Sequence, residues 1–483
     1  MVKVLFSASE AVPFVKTGTL ADVVGSLPKY LDKEEYDVRI ILPKYTCMDE
    51  HLKKMLHFIS HFYITLGWRK QYVGILEAVY DNITYYFIDN EFYFSGETPY
   101  GYAYEDIEKF AFFSKAVLES LPVLGFQPDI IHCNDWETGL IPVYLKNFYD
   151  RSSFYYHMKT VFTIHNLKFA GKWKLKMIQD ITGLPDEAFT ADKLEFYEDA
   201  SYLKGGIVYS DIITTLSKTY AYDITTVNGG EGLDGVLHNR KEDLYGILSG
   251  IDYERYNPQT DSHIIKRYSA SDIRSGKSAN KTALQKTLHI MENEEILMIG
   301  IVSRFTYEKG FDLILSVLDN LLMSNHMQFI VIGTGEEKYI SSLNQFSQKY
   351  PQKLYFQPEY VEEFAHKIYA ACDAFLMPSL FEPCGLSQLI SMRYGTIPIV
   401  RKTGGLQDTI IDVNEQTNEK ESTGFMFEEY ESNELLRAIK FASSIYYENK
   451  VKWYEIAKNG MKMDYSWEKS AREYEKVYTK LLI

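Results

Sequence analysis

The chain has 483 residues, a net charge of −15, and a composition that is 46% apolar and 24% charged. That length exceeds what one hydrophobic core sustains and predicts two or more domains. The acidity argues against nucleic acid as a partner, because phosphate backbones are bound by basic surface.

The first predicted element is a strand at 2–6, followed by a loop. The stretch 2–15 is mostly apolar, but Lys3 and Glu10 interrupt it and no small-residue cleavage site follows, so it reads as strand and loop, not as a signal peptide. Strands follow at 38–42, at 75–79 and 84–88 (a hairpin around Asp81-Asn82), at 130–132, 160–164, 212–214 and 244–248, with helices at 105–121 and 137–148. The pattern then restarts. Strands are expected at 296–302, 329–332, 354–356, 374–377 and 397–400, and helices at 311–323, 338–350, 361–372 and 386–394. Repeated βα units predict parallel sheets covered by helices, twice over. The boundary falls near Ser249-Gly250-Ile251-Asp252, giving domains 1–250 and 251–483, and the polar stretch 269–286 opens the second half. An amphipathic helix at 466–482, with Trp467, Tyr474, Val477 and Leu481 on one stripe, ends the chain as a core helix or returns to the first domain.

No run reaches the roughly 18 uncharged apolar residues of a membrane span. Cys47, Cys133, Cys372 and Cys384 have neither metal-ligand spacing nor disulfide-scaffold density. A cytoplasmic protein with reduced thiols and no membrane partner is expected. His57 and His61 form the one H-x-x-x-H, without the glutamate of a zinc helix, and read as packing. No G-x-S-x-G or P-loop occurs, and Gly230 to Gly235 matches G-x-G-x-x-G without a preceding buried strand, which favours a surface loop.

Four junctions carry chemistry. After the first strand, Lys16, Gly18 and the first-turn Asp22 stand at a helix start, where backbone N–H groups and a cation suit an anion. His132, Asp135, His165 and Asn166 lie at the ends of buried strands, where open α/β sheets place ligands. Arg304 and Lys309 are five apart in a loop closed by Gly310, close enough to converge on one phosphate. Most informative is Pro378-Ser379-Leu380-Phe381-Glu382-Pro383-Cys384-Gly385-Leu386, which sets a carboxylate and free N–H groups between a buried strand and a helix. No D-x-D is present to hold a metal against a sugar nucleotide, so the Arg304/Lys309 pair is the expected neutraliser, with no metal or other cofactor required.

Together with Leu20 to Val23, Phe162 to Leu167, Leu203 to Gly206, Tyr394 to Arg401 and Thr403 to Thr409, these segments resemble the bacterial glycogen synthase and plant starch synthase family over essentially the whole chain. The resemblance implies two Rossmann-like doubly wound domains facing across a cleft (the GT-B fold). It implies retaining transfer of glucose from ADP-glucose to the non-reducing end of an α-1,4-glucan such as glycogen. By that likeness Arg304 and Lys309 bind the diphosphate, with Lys16 and Gly18 beside it. Glu382 and the Cys384-Gly385-Leu386 backbone hold donor sugar and ribose, Tyr360 stacks on adenine, and His165 and Asp135 contact the transferred glucose. Three positions depart from the family pattern. Thr19 replaces a second glycine, which would strain a positive-φ turn. Glu137 replaces a histidine and puts an extra carboxylate near the acceptor. Ser249 replaces an asparagine expected to touch the donor glucose.

Overall fold

The structure is a computed structural model describing residues 1–101, 103–149, 151–323, 326–414 and 421–483. The chain divides into two units, residues 1–250 with 467–483, and residues 251–466.

The first unit is built on a nine-stranded sheet. In spatial order its strands are Leu244–Gly246, Ile212–Thr215, Lys159–Ile164, Ile130–Asn134, Val2–Ser7, Tyr36–Pro43, Ile83–Asp89, Arg69–Tyr80 and His57–Leu66. The first seven run parallel, and all but the edge strand Leu244–Gly246 have fully buried cores, as apolar strands covered on both faces must. The last two add antiparallel. Asp81 and Asn82 close the expected hairpin at φ 50 and 62, the left-handed pair that a two-residue turn requires and that Asp and Asn tolerate. The expected helix at 137–148 is instead a 3₁₀ turn (Trp136–Thr138), an α-helix (Leu140–Tyr144) and a π turn (Leu145–Tyr149).

Two other readings need correction. His57 and His61 are not packed inside: they are exposed on the edge strand His57–Leu66, because Ile64 and Leu66 take the core-facing positions of the alternation. The second domain ends at Ser466, not at 483, because the helix Trp467–Leu482 belongs to the first unit. Tyr478 Oη lies 2.7 Å from His132 Nδ1 under the first sheet, and Ser470 Oγ donates to the Leu248 carbonyl at 2.6 Å. Burying Trp467, Tyr474, Val477 and Tyr478 gives this helix its place.

The second unit carries a six-stranded parallel sheet in the order Leu354–Gln357, Met327–Ile332, Leu297–Val302, Ala374–Met377, Ile397–Arg401, Phe425–Phe427. The first strand in sequence sits in the middle and the order reverses beside it. That reversal opens a crevice at the carboxyl ends of the strands.

A buried ion pair ties the start of this unit to its core. Asp261 Oδ2 contacts His366 Nδ1 at 2.8 Å and accepts from Tyr394 Oη at 2.6 Å. Tyr256 stacks on the His366 ring, His263 abuts it, and Glu362, paired with Arg255, lies 3.9 Å from Nε2. Although burial opposes the charge, Asp261 and Glu362 raise the His366 imidazole to about 9. A histidine whose folded value lies above its unfolded 6.5 stabilises fully below that value and loses the contribution as pH rises through about 9. We expect the thermal midpoint to fall by about 5 °C between pH 7.5 and 10 beyond any fall in His366→Gln. Parallel curves for the two proteins would refute a charged His366.

Candidate active site

In the second unit the crevice lies between the strands Leu297–Val302 and Ala374–Met377, which pair at Ile299–Ala374 and Gly300–Phe375. The loops that leave them are 303–310 and 378–386. Gly310 stands at φ 77, and a Cβ there would sit 2.2 Å from the Pro378 carbonyl, so only glycine lets the two loops touch. The Leu380 N–H donates to the Glu308 carbonyl at 2.8 Å, and Arg401 Nε donates to the Ser379 carbonyl at 2.9 Å.

This stitching sets Lys309 Nζ 2.6 Å from Glu382 Oε2, where Ser379 Oγ also donates at 3.1 Å. Lys309 therefore meets a carboxylate first, where sequence reading foresaw only its convergence with Arg304 on an anion. Arg304 is exposed and makes no ion pair or side-chain hydrogen bond among the described residues. The Glu382 side chain is nearly buried, and its carbonyl accepts from the Gly405 N–H at 2.9 Å. Gly404, at φ 43, is needed there because a Cβ would lie 2.1 Å from that carbonyl. Cys384 is buried, Gly385 turns at φ 70, and Leu386 begins the helix Ser387–Arg393 with no side-chain cap. Gln388 Nε2 fixes the turn from inside, donating to the Cys384 and Gly385 carbonyls at 2.9 and 3.0 Å. Tyr360, 46% exposed, lies between the strand Leu354–Gln357 and the helix Glu362–Ala371.

In the first unit the strand order reverses between Val2–Ser7 and Ile130–Asn134. The loop after the first strand is held by Glu10, which sequence reading noted only as a charge interrupting an apolar stretch. Glu10 is 3% exposed and accepts from the Thr17 N–H, from Thr17 Oγ1 at 3.1 Å and from Tyr100 Oη at 3.3 Å. Lys16 pairs with Asp22 at 2.7 Å, so both residues lie at the start of the helix Thr19–Tyr30. Gly18 is extended (φ −150), and Thr19 is not among the positive-φ residues. The strain expected from a β-branched residue at 19 is therefore absent, because the helix starts at Thr19 itself.

The strand end at 134–135 and the strand end at 164–166 meet. Asp135 is held at φ 56, ψ −177, a costly conformation. Its Oδ1 accepts from the His165 N–H at 2.8 Å and the Asn166 N–H at 3.4 Å. Asn134 Nδ2 donates to the Ser7 and His132 carbonyls at 3.2 Å, so its Oδ1 accepts, at 2.9 Å, from His165 Nε2. That assigns the tautomer. Burial lowers the His165 imidazole to about 3, and its Nδ1, buried with no partner among the described residues, carries a free lone pair. Burial likewise pushes Asp135 up, to about 7. Glu137 is no open carboxylate: burial, and then Asp135, raise it well above its usual range, and Oε2 has no partner. Ser249 is buried, and its side chain makes no hydrogen bond to His165 or Asp135. Sequence reading also missed Asn134, Tyr100 and Arg401, whose roles depend on partners far along the chain. Among the described residues no three His, Cys, Asp or Glu side chains cluster as a metal site, and no helix is long and apolar enough to cross a membrane.

A profile of the starch synthase catalytic domain matches residues 3–239, and one of glycosyl transferases group 1 matches residues 283–460. The chain is 56% identical to a glycogen synthase of Lachnospira eligens and 54% identical to one of Lachnoclostridium phytofermentans, each over 481 residues and the full length of both chains. The catalytic domain of starch synthase IV from Arabidopsis thaliana, solved bound to ADP and acarbose, superposes with a TM-score of 0.92 at 31% identity, covering 100% of this chain and 99% of that one.

Proposed function

The chain belongs to the bacterial glycogen synthase and plant starch synthase family, and from that premise we propose that it transfers glucose, with retention, from ADP-glucose to the non-reducing 4-hydroxyl of an α-1,4-glucan. The observation that carries this reading is the full-length likeness joined to the Lys309–Glu382 pair at the strand-order reversal of the second unit.

In that reaction the bond from the anomeric carbon to the diphosphate oxygen breaks, the bond to the acceptor O4 forms, and ADP leaves. Negative charge gathers on the departing diphosphate, and preorganised cations lower such a barrier most. The Arg304 guanidinium and the Lys309 ammonium supply them, with Lys16 and the Gly18 backbone beside the phosphates. Glu382, fixed by Ser379 and Lys309, accepts hydrogen bonds from donor hydroxyls, while Cys384 to Leu386 offer backbone N–H groups and Tyr360 an exposed ring for adenine. His165 stays neutral, so Nδ1 accepts from a glucose hydroxyl, and Asp135 faces the same sugar as a carboxylate. With no second carboxylate poised as a nucleophile, attack comes from the leaving-group face, and a phosphate oxygen takes the acceptor's proton. The protein acts in the cytoplasm with its thiols reduced.

A radiolabelled screen of ADP-glucose against UDP-glucose with glycogen as primer tests the donor; a preference for UDP-glucose would overturn it. Because protein cations neutralise the diphosphate, transfer should survive exhaustive chelation. Loss of activity in EDTA with recovery on adding magnesium or manganese would mean that a metal holds the donor.

A further inference from the structure

Arg401 is the last residue of the strand Ile397–Arg401. Val400 in that strand pairs with Met377 on one side, and Arg401 itself with Phe427 on the other. Its side chain therefore leaves the sheet between two loops, the one at 378–386 that carries Glu382 and the one that begins at Glu428. Each guanidinium nitrogen is spent there on a backbone oxygen. Nε donates to the Ser379 carbonyl at 2.9 Å, one Nη to the Leu380 carbonyl, and the other Nη to the Glu428 carbonyl at 3.1 Å.

This grip needs an arginine. Ser379 and Leu380 are adjacent, and a neighbouring strand could not meet both of their carbonyls from one side, because successive residues of a strand turn their carbonyls to opposite sides. A planar fork of N–H groups reaches both at once, and the point charge of a lysine does not reproduce it.

From Arg401 the restraint passes to the loops of the donor crevice. Ser379 is 1% exposed and donates through Oγ to Glu382 Oε2 at 3.1 Å, so the backbone that Arg401 holds also sets the carboxylate. The Leu380 N–H donates to the Glu308 carbonyl at 2.8 Å, next to Lys309. Tyr430, its ring 5.8 Å from the guanidinium carbon, donates through Oη to the Tyr307 carbonyl at 3.0 Å. Arg401 thus fixes the loop of Glu382 directly, and the loop of Arg304 and Lys309 through Leu380 and Tyr430. The exposed Arg304 is open to an anion, whereas Arg401 is committed to carbonyls.

We propose that Arg401 is a positioning residue for the glucosyl transfer: it acts through Glu382, by holding the Ser379–Leu380 backbone, and touches no substrate atom itself. The assignment rests on reading the protein as a glucan glucosyltransferase.

Steady-state transfer from ADP-glucose to glycogen, measured well below each variant's melting temperature, tests it. Arg401→Met keeps the length of the side chain without its donors, and should lower kcat/KM about a hundredfold, the cost of a displacement of about 1 Å beside reacting atoms. Arg401→Lys keeps the charge but loses the fork, and should recover no more than about threefold of that loss. The deciding measurement is the cycle with Glu382→Gln. A residue that acts through Glu382 has little left to lose once that carboxylate is gone, so Arg401→Met/Glu382→Gln should fall within about threefold of Glu382→Gln alone. Losses that multiply overturn the proposal. So does a folded Arg401→Met with wild-type kcat/KM, even at a lowered melting temperature, because a residue needed only for stability leaves the folded enzyme's turnover intact. If Arg401→Met fails to fold, Arg401→Lys takes its place in the cycle. A wild-type protein that transfers no glucose overturns the transferase reading itself, a result distinct from any difference among the variants.

Discussion

Alanine at Lys309 or at Arg304 lowers turnover by about two orders of magnitude, the range for losing one preorganised electrostatic stabiliser. Steady-state kinetics with ADP-glucose and glycogen measure it, on proteins shown to be folded by their melting curves. Both residues lie in the loop 303–310, outside the core of the sheet, so the fold should survive. Lys309→Ala has a second consequence, since it leaves the nearly buried Glu382 without its cation. Combining it with Glu382→Gln separates the two effects. If Lys309 matters only by neutralising Glu382, the double variant recovers turnover; if it meets the diphosphate, the loss remains. Near-wild-type turnover in both single variants would remove the pair from the site.

Asp135→Asn should cost about a hundredfold in kcat/KM at pH 8, the scale of a misplaced or uncharged group beside reacting atoms. Asparagine keeps an oxygen for the His165 and Asn166 N–H groups, so the strand ends stay joined while the charge is lost. The pH dependence sharpens this. Burial holds the Asp135 carboxyl up to about 7, so below that pH it is protonated and above it charged. Wild-type kcat/KM should therefore rise with pH through about 7, and the asparagine variant should lack that limb. His165, neutral across this window, contributes no limb of its own. An identical acid limb in both proteins would show that Asp135 is not the group titrating.

Much of the second unit was legible because its strands are short apolar runs bounded by polar turns. The strand Ala374–Met377 falls at the residues expected, since burial on both faces leaves no polar residue to blur its ends, and so does the helix Phe311–Met323, whose buried apolar residues recur at helical spacing. The hairpin around Asp81-Asn82 was equally plain, because two left-handed residues in a row admit few side chains. The edge strand His57–Leu66 was not read. Its outer face is aromatic, so its alternation of core and solvent looks like one apolar run.

Local order along the chain thus determined the βα repeats, the position of Arg304, Lys309 and Glu382 at strand ends, and the family likeness, because each depends on residues within a few positions of one another. Tertiary structure alone decided what these groups meet. Lys309 and Glu382 are 73 residues apart and touch only because the strand order reverses between the two strands that carry their loops. The Asn134 oxygen fixes the His165 tautomer across 31 residues, and the terminal helix reaches His132 across 346. The raised carboxyls of Asp135 and Glu137 have the same origin: a carboxyl's proton affinity depends on the water and neighbours that folding removes or supplies, and its own position in the sequence specifies neither.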